Sequence, residues 1–360
     1  MSAPVPPSIS SRKADHIALC TTGEVGFRGK GTLLDEVELL HDALPELRTA
    51  DVELGAHFAG KALRAPVLFA AMTGGVDQAE RINKDLASVA EELGLGFAFG
   101  SQRPLLTKGI RDGFFVRDVA PTALLIGNIG MVQARASSTQ QLADLVGETG
   151  VDALVVHLNP AMEVVQPEGD DDFTGGIDTI ARLVAELPVP IVAKETGCGL
   201  SRSVGQRLAA VGVRWVDTSG AGGTSWVAVE TLRAAGDQRA LGEAFWDWGI
   251  PTAGSVAQLS GLGLGVCATG GLRSGLDVAR ALALGAQVGG IARAFLQAHA
   301  AGGRAGVLVA AQRAIAELRV AHLLAGARTT ADLHQKPLIV GPRLRPYVPA
   351  GSPLAARLLS

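Results

Sequence analysis

Cysteine is scarce in this 360-residue chain: Cys20, Cys198 and Cys267 are far apart and make no CxxC pair. That excludes a disulfide framework and a clustered zinc site, and it fits a reducing compartment. Long apolar runs are also missing. The longest, residues 65–72, falls far short of the ~20 residues that cross a bilayer. The first 12 residues hold Pro and Ser but no apolar core, so a signal peptide is not expected. There is no basic excess, with 32 Lys and Arg against 35 Asp and Glu and a net charge of -3. A general field for nucleic acid is therefore absent. Charged residues are only 19 % against 48 % hydrophobic, and aromatics are 4 %; a disordered chain needs the reverse balance of charge and hydrophobicity. What remains is a soluble, cytoplasmic protein with a large core and neither a membrane nor a nucleic-acid partner. Glycine is abundant, at 46 residues. It has no three-residue period, so it signals tight turns and close backbone approaches instead of collagen.

From residue 66 onward, short apolar runs alternate with helical patterns. The runs cover 66–71, 96–100, 123–128, 152–157, 190–194, 214–218, 266–268 and 288–291. Such runs read as parallel strands buried on both faces. Helix-like stretches lie between them at 79–93, 140–148, 177–187, 204–211 and 276–284. Eight strands with crossovers are the number that closes a (β/α)8 TIM barrel, with an open doubly wound sheet as the alternative. The division expected is an N-terminal extension at 1–65, a barrel at 66–328 and a C-terminal tail at 329–360. The extension contains an apolar-periodic stretch at 33–44. About 45 residues separate the sixth and seventh strands, which predicts an excursion with helices of its own. Residues 307–324 are amphipathic and read as an outer helix. The Pro-rich chain after Gly326 reads as a loose tail.

Barrel chemistry sits at the C-terminal ends of the strands, and polar residues occupy all eight. The first end offers Ala71, Met72 and Thr73, the second Ser101 and Arg103, and the third Asn128. The fourth offers His157, Asn159, Met162 and Glu163, and the fifth Lys194. The sixth runs from Ser219 through Thr224 to Trp226, the seventh holds Gly271 and Arg273, and the eighth Ala292 and Arg293. The Thr269–Arg273 turn and Gly289-Gly290 read either as a phosphate cradle built on backbone N–H groups and a helix N-terminus or as two tight turns. The 261–265 Gly-Leu-Gly-Leu-Gly run precedes a strand and is no dinucleotide fingerprint. Lys194 ends a buried strand and must find a partner, either an anionic flavin or Glu195 or Glu163. His157 is a core histidine or, with Asn159 and Glu163 on the same turn, a functional one. Glu163 could bind a hard cation. The acidic run from Glu168 to Asp172 reads as a solvated loop. Arg12, Lys13 and His16 form a basic cluster, either solvated or able to close over an anionic substrate such as a diphosphate.

Taken in order, these motifs resemble those of the type 2 isopentenyl diphosphate isomerases, FMN-dependent (β/α)8 barrels. The resemblance rests on Arg12-Lys13-Ala14-Asp15-His16, Met72-Thr73-Gly74-Gly75, Gly100-Ser101-Gln102-Arg103 and His157-Leu158-Asn159-Pro160. It continues through Lys194-Glu195-Thr196-Gly197, Ser219 to Trp226, Trp248-Gly249-Ile250-Pro251-Thr252 and Thr269 to Arg273. It implies FMN contacts from Ala71, Met72, Thr73, Ser101, Asn128, Lys194, Ser219 and Thr224, with the FMN phosphate on Gly271, Arg273, Ala292 and Arg293. It implies that Arg12, Lys13, His16 and Arg103 hold the diphosphate of an isoprenoid substrate, that Glu163 holds Mg2+, and that His157 and Asn159 line the substrate cavity. It also implies NAD(P)H as flavin reductant, an extension that closes over the substrate, and a homo-oligomer, tetramer or octamer.

One position departs from the family pattern. Met162 stands where a His-x-Asn-Pro-x-Gln-Glu pattern has Gln, and a thioether cannot donate a hydrogen bond. The alternatives are an FMN-dependent 2-hydroxy-acid oxidase or dehydrogenase and a non-catalytic flavin or isoprenoid-phosphate binder. The first needs a base histidine and a carboxylate-binding arginine beyond the sixth strand, and residues 219–226 contain neither.

Overall fold

The computed structural model describes residues 25–72 and 77–359. Eight parallel strands close on one another: β4 (Val67–Phe69), β5 (Gly96–Ala98), β6 (Leu124–Gly130), β7 (Ala153–Leu158), β8 (Ile191–Glu195), β9 (Trp215–Asp217), β10 (Gly265–Ala268) and β11 (Val288–Ile291). β11 pairs back onto β4, with Gly290 opposite Leu68, so the sheet is a barrel and not an open doubly wound sheet. All eight sequence-predicted runs are strands, shifted by a residue or two at their ends.

Side-chain alternation explains why these runs are apolar throughout. On β4, Val67 and Phe69 face the outer helices, while Leu68 joins Leu124, Ile126, Val155 and Val192 inside the barrel. The floor of the interior is closed by the hairpin of β2 (Ala56–Phe58) and β3 (Lys61–Leu63), whose Phe58 packs edge-on against Trp215 at 5.1 Å. Continuing each inward column by two residues toward the C-terminal end changes its chemistry. Ile126 gives way to Asn128, Val155 to His157, Val192 to Lys194 and Trp215 to Asp217. The barrel is thus packed with hydrocarbon below and polar at one mouth.

Helices start and stop where the sequence provides caps. Ser138 and Gln141 form a capping box at helix Thr139–Thr149, and Gly150 ends that helix at φ 65°. The excursion between β9 and β10 does carry its own helices, Trp226–Arg233, Gly236–Ala244 and Thr252–Gln258. The outer helix Arg293–Leu324 breaks at Gly302 and Gly303 and packs on helix Gly275–Ala283, where Glu317 accepts from Gly275 N at 2.8 Å.

The C-terminal segment corrects the expectation of a loose tail. β12 (Leu338–Val340) pairs antiparallel with β1 (Val37–Leu39), which takes up part of the apolar stretch at 33–44. Leu338, Leu344 and Leu354 are buried, and Arg343 pairs with Asp35 and Glu36. Prolines 337, 342, 346, 349 and 353 prevent long elements, but enough apolar side chains lie between them to dock the segment on the barrel.

Residues 25–32 are strapped across the excursion. Arg28 N and Gly29 N both donate to the Asp247 carboxylate at 2.8 Å. The Arg28 guanidinium pairs with Glu243 at 2.6 Å and lies 3.6 Å over the Trp246 ring. Gly26 bridges Thr224, so the described chain begins at the polar mouth of the barrel.

Candidate active site

A cavity of about 640 Å³ opens at the C-terminal ends of the strands. It brings together Ala71, Met72, Ser101, Arg103, Asn128, His157, Asn159, Met162, Glu163 and Lys194. Ser219, Thr224, Gly271, Arg273, Ala292 and Arg293 complete that wall. Arg12, Lys13, His16 and Thr73 lie outside the described residues.

Three side chains form one layer across neighbouring strands: His157 is in register with Lys194, and Lys194 with Asp217. Lys194 is buried, its Nζ lying 3.4 Å from Asp217 Oδ2 and donating to the Glu195 carbonyl at 2.9 Å. The alternative reading, an ion pair with Glu195 or Glu163, is replaced by one with Asp217. Strand alternation points Lys194 inward and Glu195 outward. Asp217 is the functional side chain that motif reading missed. It accepts from Thr269 Oγ1 and from Ser219 N, so the carboxylate that faces the ammonium is itself fixed. Unlike Lys194, Asp217 follows Arg214 and Trp215 in a mixed segment, and only its register opposite Lys194 reveals it.

The hydrogen bonds also orient the His157 ring. Asn128 Nδ2 donates to the Phe99 carbonyl at 3.0 Å, which leaves Asn128 Oδ1 as the acceptor 2.7 Å from His157 Nδ1. An amide oxygen cannot donate, so Nδ1 carries a proton and the ring is held by that bond. One turn on, Asn159 Nδ2 donates to Glu163 Oε1 at 2.6 Å, and Asp170 N donates to Oε2 at 3.1 Å. Both Glu163 oxygens are therefore aimed.

On the opposite wall, the turns after β9, β10 and β11 converge. Gly270 and Gly271 have φ values of 99° and 91°, open only to glycine at low cost. A Cβ on Gly271 would lie 2.7 Å from Gly222 O, and one on Gly223 would lie 2.5 Å from Gly271 N. Helix Arg293–Leu324 begins beside them, with Arg293 Nη2 donating to Thr224 Oγ1 at 2.8 Å. Backbone N–H groups, a helix N-terminus and two arginines form a donor set suited to a phosphate.

Glu195 has a separate consequence. Burial pushes its carboxyl up to about 8, outweighing the backbone donors at Cys198 and Gly199 and the charge of Lys194. A folded-state value above the ordinary 4.5 means that the native state holds the proton longer than the unfolded chain. The resulting stability is complete below about 4.5 and is lost as pH rises through about 8. Thermal melts between these limits should show the wild-type Tm falling by several degrees, with Glu195→Gln much flatter. Parallel declines would assign the effect to another group.

The family model described as FMN-dependent dehydrogenase matches residues 157–340. Among solved structures, a mandelate oxidase variant carrying a monooxide FMN adduct superposes with a TM-score of 0.64 at 17 % identity, over 88 % of this chain and 94 % of that one, a likeness of fold. The fold and the matched model place the chain in the FMN-dependent class of (β/α)8 barrels. It is 42 % identical over 335 residues to the isopentenyl-diphosphate delta-isomerase of Methanothermobacter thermautotrophicus, covering 92 % of this chain and 93 % of the relative. It is 43 % identical over 293 residues to that of Nostoc sp., covering 80 % and 84 %. The chain belongs to the isopentenyl-diphosphate delta-isomerase family.

Proposed function

We propose that this protein interconverts isopentenyl and dimethylallyl diphosphate with reduced FMN in the barrel mouth. The observation that carries the reading is the juxtaposition, in one cavity, of a phosphate-type cradle, Lys194 held from behind by Asp217, and the oriented His157, Asn159 and Glu163 group. When bound, reduced FMN supplies and takes back the migrating proton without net redox change. Gly271, Arg273, Ala292 and Arg293 would hold its phosphate. Ala71, Met72, Thr73, Ser101, Asn128, Ser219 and Thr224 would contact the rest of it, and Lys194 would supply the positive charge that an anionic flavin needs.

His157 and Asn159 would line the hydrocarbon end, while Arg103, Arg12, Lys13 and His16 would hold the diphosphate. The start of the described chain beside Thr224 supports an extension that closes over the mouth. Among the described residues no group of three His, Cys, Asp or Glu side chains could hold a metal. Glu163 would therefore bind Mg2+ together with diphosphate oxygens, as this ion commonly does. NAD(P)H as reductant, a cytoplasmic location and a tetramer or octamer accompany this reading; no helix among the described residues is long and apolar enough to cross a membrane.

The 2-hydroxy-acid oxidase reading is less supported. His157 is the one histidine among the described residues that lines the cavity, and it lies on β7, not beyond the sixth strand. Anaerobic mixing of the oxidised FMN holoenzyme with mandelate or lactate should leave the flavin absorbance unchanged; bleaching would favour the oxidase.

Met162 occupies the cavity wall where the family pattern has Gln. A flexible thioether fills the space without donating. If the family amide only orients the substrate, Met162→Gln should change kcat by less than about tenfold, under ~1.4 kcal/mol of barrier. A gain of about 10² would instead identify the amide as an acid–base participant.

A further inference from the structure

Helix Pro160–Val165 ends at Gln166, whose backbone is fully engaged: its N–H donates to Glu163 O at 3.1 Å and its carbonyl accepts from Gly169 N at 3.0 Å. Its side chain is different. Gln166 is only 8 % exposed and lines the cavity, yet its amide makes no hydrogen bond with any described residue. A primary amide carries two donors and an acceptor, and here those atoms open onto the cavity and are not sealed in the packed interior. A cavity ligand would therefore meet an amide that no described residue already occupies.

The position of Gln166 says which end of the ligand this is. Glu163 precedes it by three residues and Met162 by four, so each lies one turn before it, and all three line the cavity. Met162 offers only a soft thioether, a poor ligand for a hard cation. The oxygen donors among the three are Glu163 and Gln166. The hydrocarbon part of an isoprenoid offers an amide nothing, whereas a diphosphate with its cation offers both an electrophile for Oε1 and acceptors for Nε2.

We propose that Gln166 joins Glu163 in binding the magnesium–diphosphate end of the substrate, its amide oxygen serving the cation and its N–H groups the diphosphate. This rests on the substrate reading given above. In this chain the polar work of the turn is carried by its last residue, four positions after the methionine.

Calorimetric titration of the FMN-loaded protein with magnesium and inorganic pyrophosphate tests this without turnover. Gln166→Leu should weaken magnesium pyrophosphate binding by about tenfold or more, equivalent to ~1.4 kcal/mol, with FMN affinity and Tm unchanged. Gln166→Glu keeps an oxygen ligand and should recover most of the magnesium half-saturation. Unchanged affinity in Gln166→Leu would overturn the inference. So would equal losses in both variants accompanied by a lower Tm, which indicate a structural role. A wild type that binds magnesium pyrophosphate through Gln166 but does not isomerise would sink the isomerase reading and leave this inference standing. An active wild type with an indifferent Gln166→Leu would do the reverse, and a wild type that binds no magnesium pyrophosphate would sink both.

Discussion

Lys194→Met is expected to lower kcat by about 10²–10³, the usual loss when one preorganised electrostatic contact is removed from a water-excluded site. Lys194 is buried at the end of β8, and its ammonium is held between Asp217 and the Glu195 carbonyl. That arrangement presents a fixed positive charge to the cavity. Methionine preserves the length of the side chain and removes the charge. The substitution also leaves Asp217 as a buried carboxylate without its cation, which by itself destabilises the protein. The double variant Lys194→Met, Asp217→Asn separates the two effects. It should recover most of the lost Tm while remaining as slow as the single variant. Recovery of kcat along with Tm would show that Lys194 serves the fold and not the reaction. Asp217→Asn alone should cost less, about tenfold, because the ammonium remains but is no longer held by a carboxylate.

The second large effect is expected from Gly271→Ala. Gly271 has φ 91°, and an added Cβ would meet Gly222 O at 2.7 Å and the Thr32 methyl at 2.6 Å. The backbone of this turn would have to move, and with it the N–H groups of the cradle. FMN affinity should fall about 100-fold, as expected for losing one or two charge-assisted hydrogen bonds of ~1.5–3 kcal/mol. Gly263→Ala is the control. Gly263 has φ 72°, but nothing lies within 4 Å of its added Cβ, and it is not among the cavity residues. It carries a comparable backbone penalty and should keep normal FMN affinity. Equal losses in the two variants would mean that general destabilisation, not the cradle, controls flavin binding.

The sequence announces the barrel because each strand is buried on both faces, so its apolar runs stand out from the amphipathic helices between them. Polar residues at strand ends were legible for the same reason: Asn128, His157 and Lys194 each interrupt or terminate such a run. Asp217 obeys the same alternation but sits beside Trp215 and Arg214, in a segment too mixed to mark it. Its role emerges only from the register that places it opposite Lys194. The C-terminal segment misled because prolines were read as looseness. They break regular elements without preventing docking, and Leu338, Leu344 and Leu354 find their partners over distances in sequence that no local pattern encodes. The strap of Arg28 onto Glu243, Asp247 and Trp246 is likewise a pairing across more than 200 residues. Gln166 was visible as a residue but not as an unpaired amide, because hydrogen-bond satisfaction is a property of the folded surroundings.

The most direct measurement incubates the FMN holoenzyme anaerobically with labelled isopentenyl diphosphate, magnesium and a limiting amount of NADPH. Dimethylallyl diphosphate should accumulate through many turnovers per flavin, while NADPH is consumed only to the extent needed to reduce the bound FMN. Stoichiometric loss of NADPH, or reduced holoenzyme that forms no dimethylallyl diphosphate, would contradict the account.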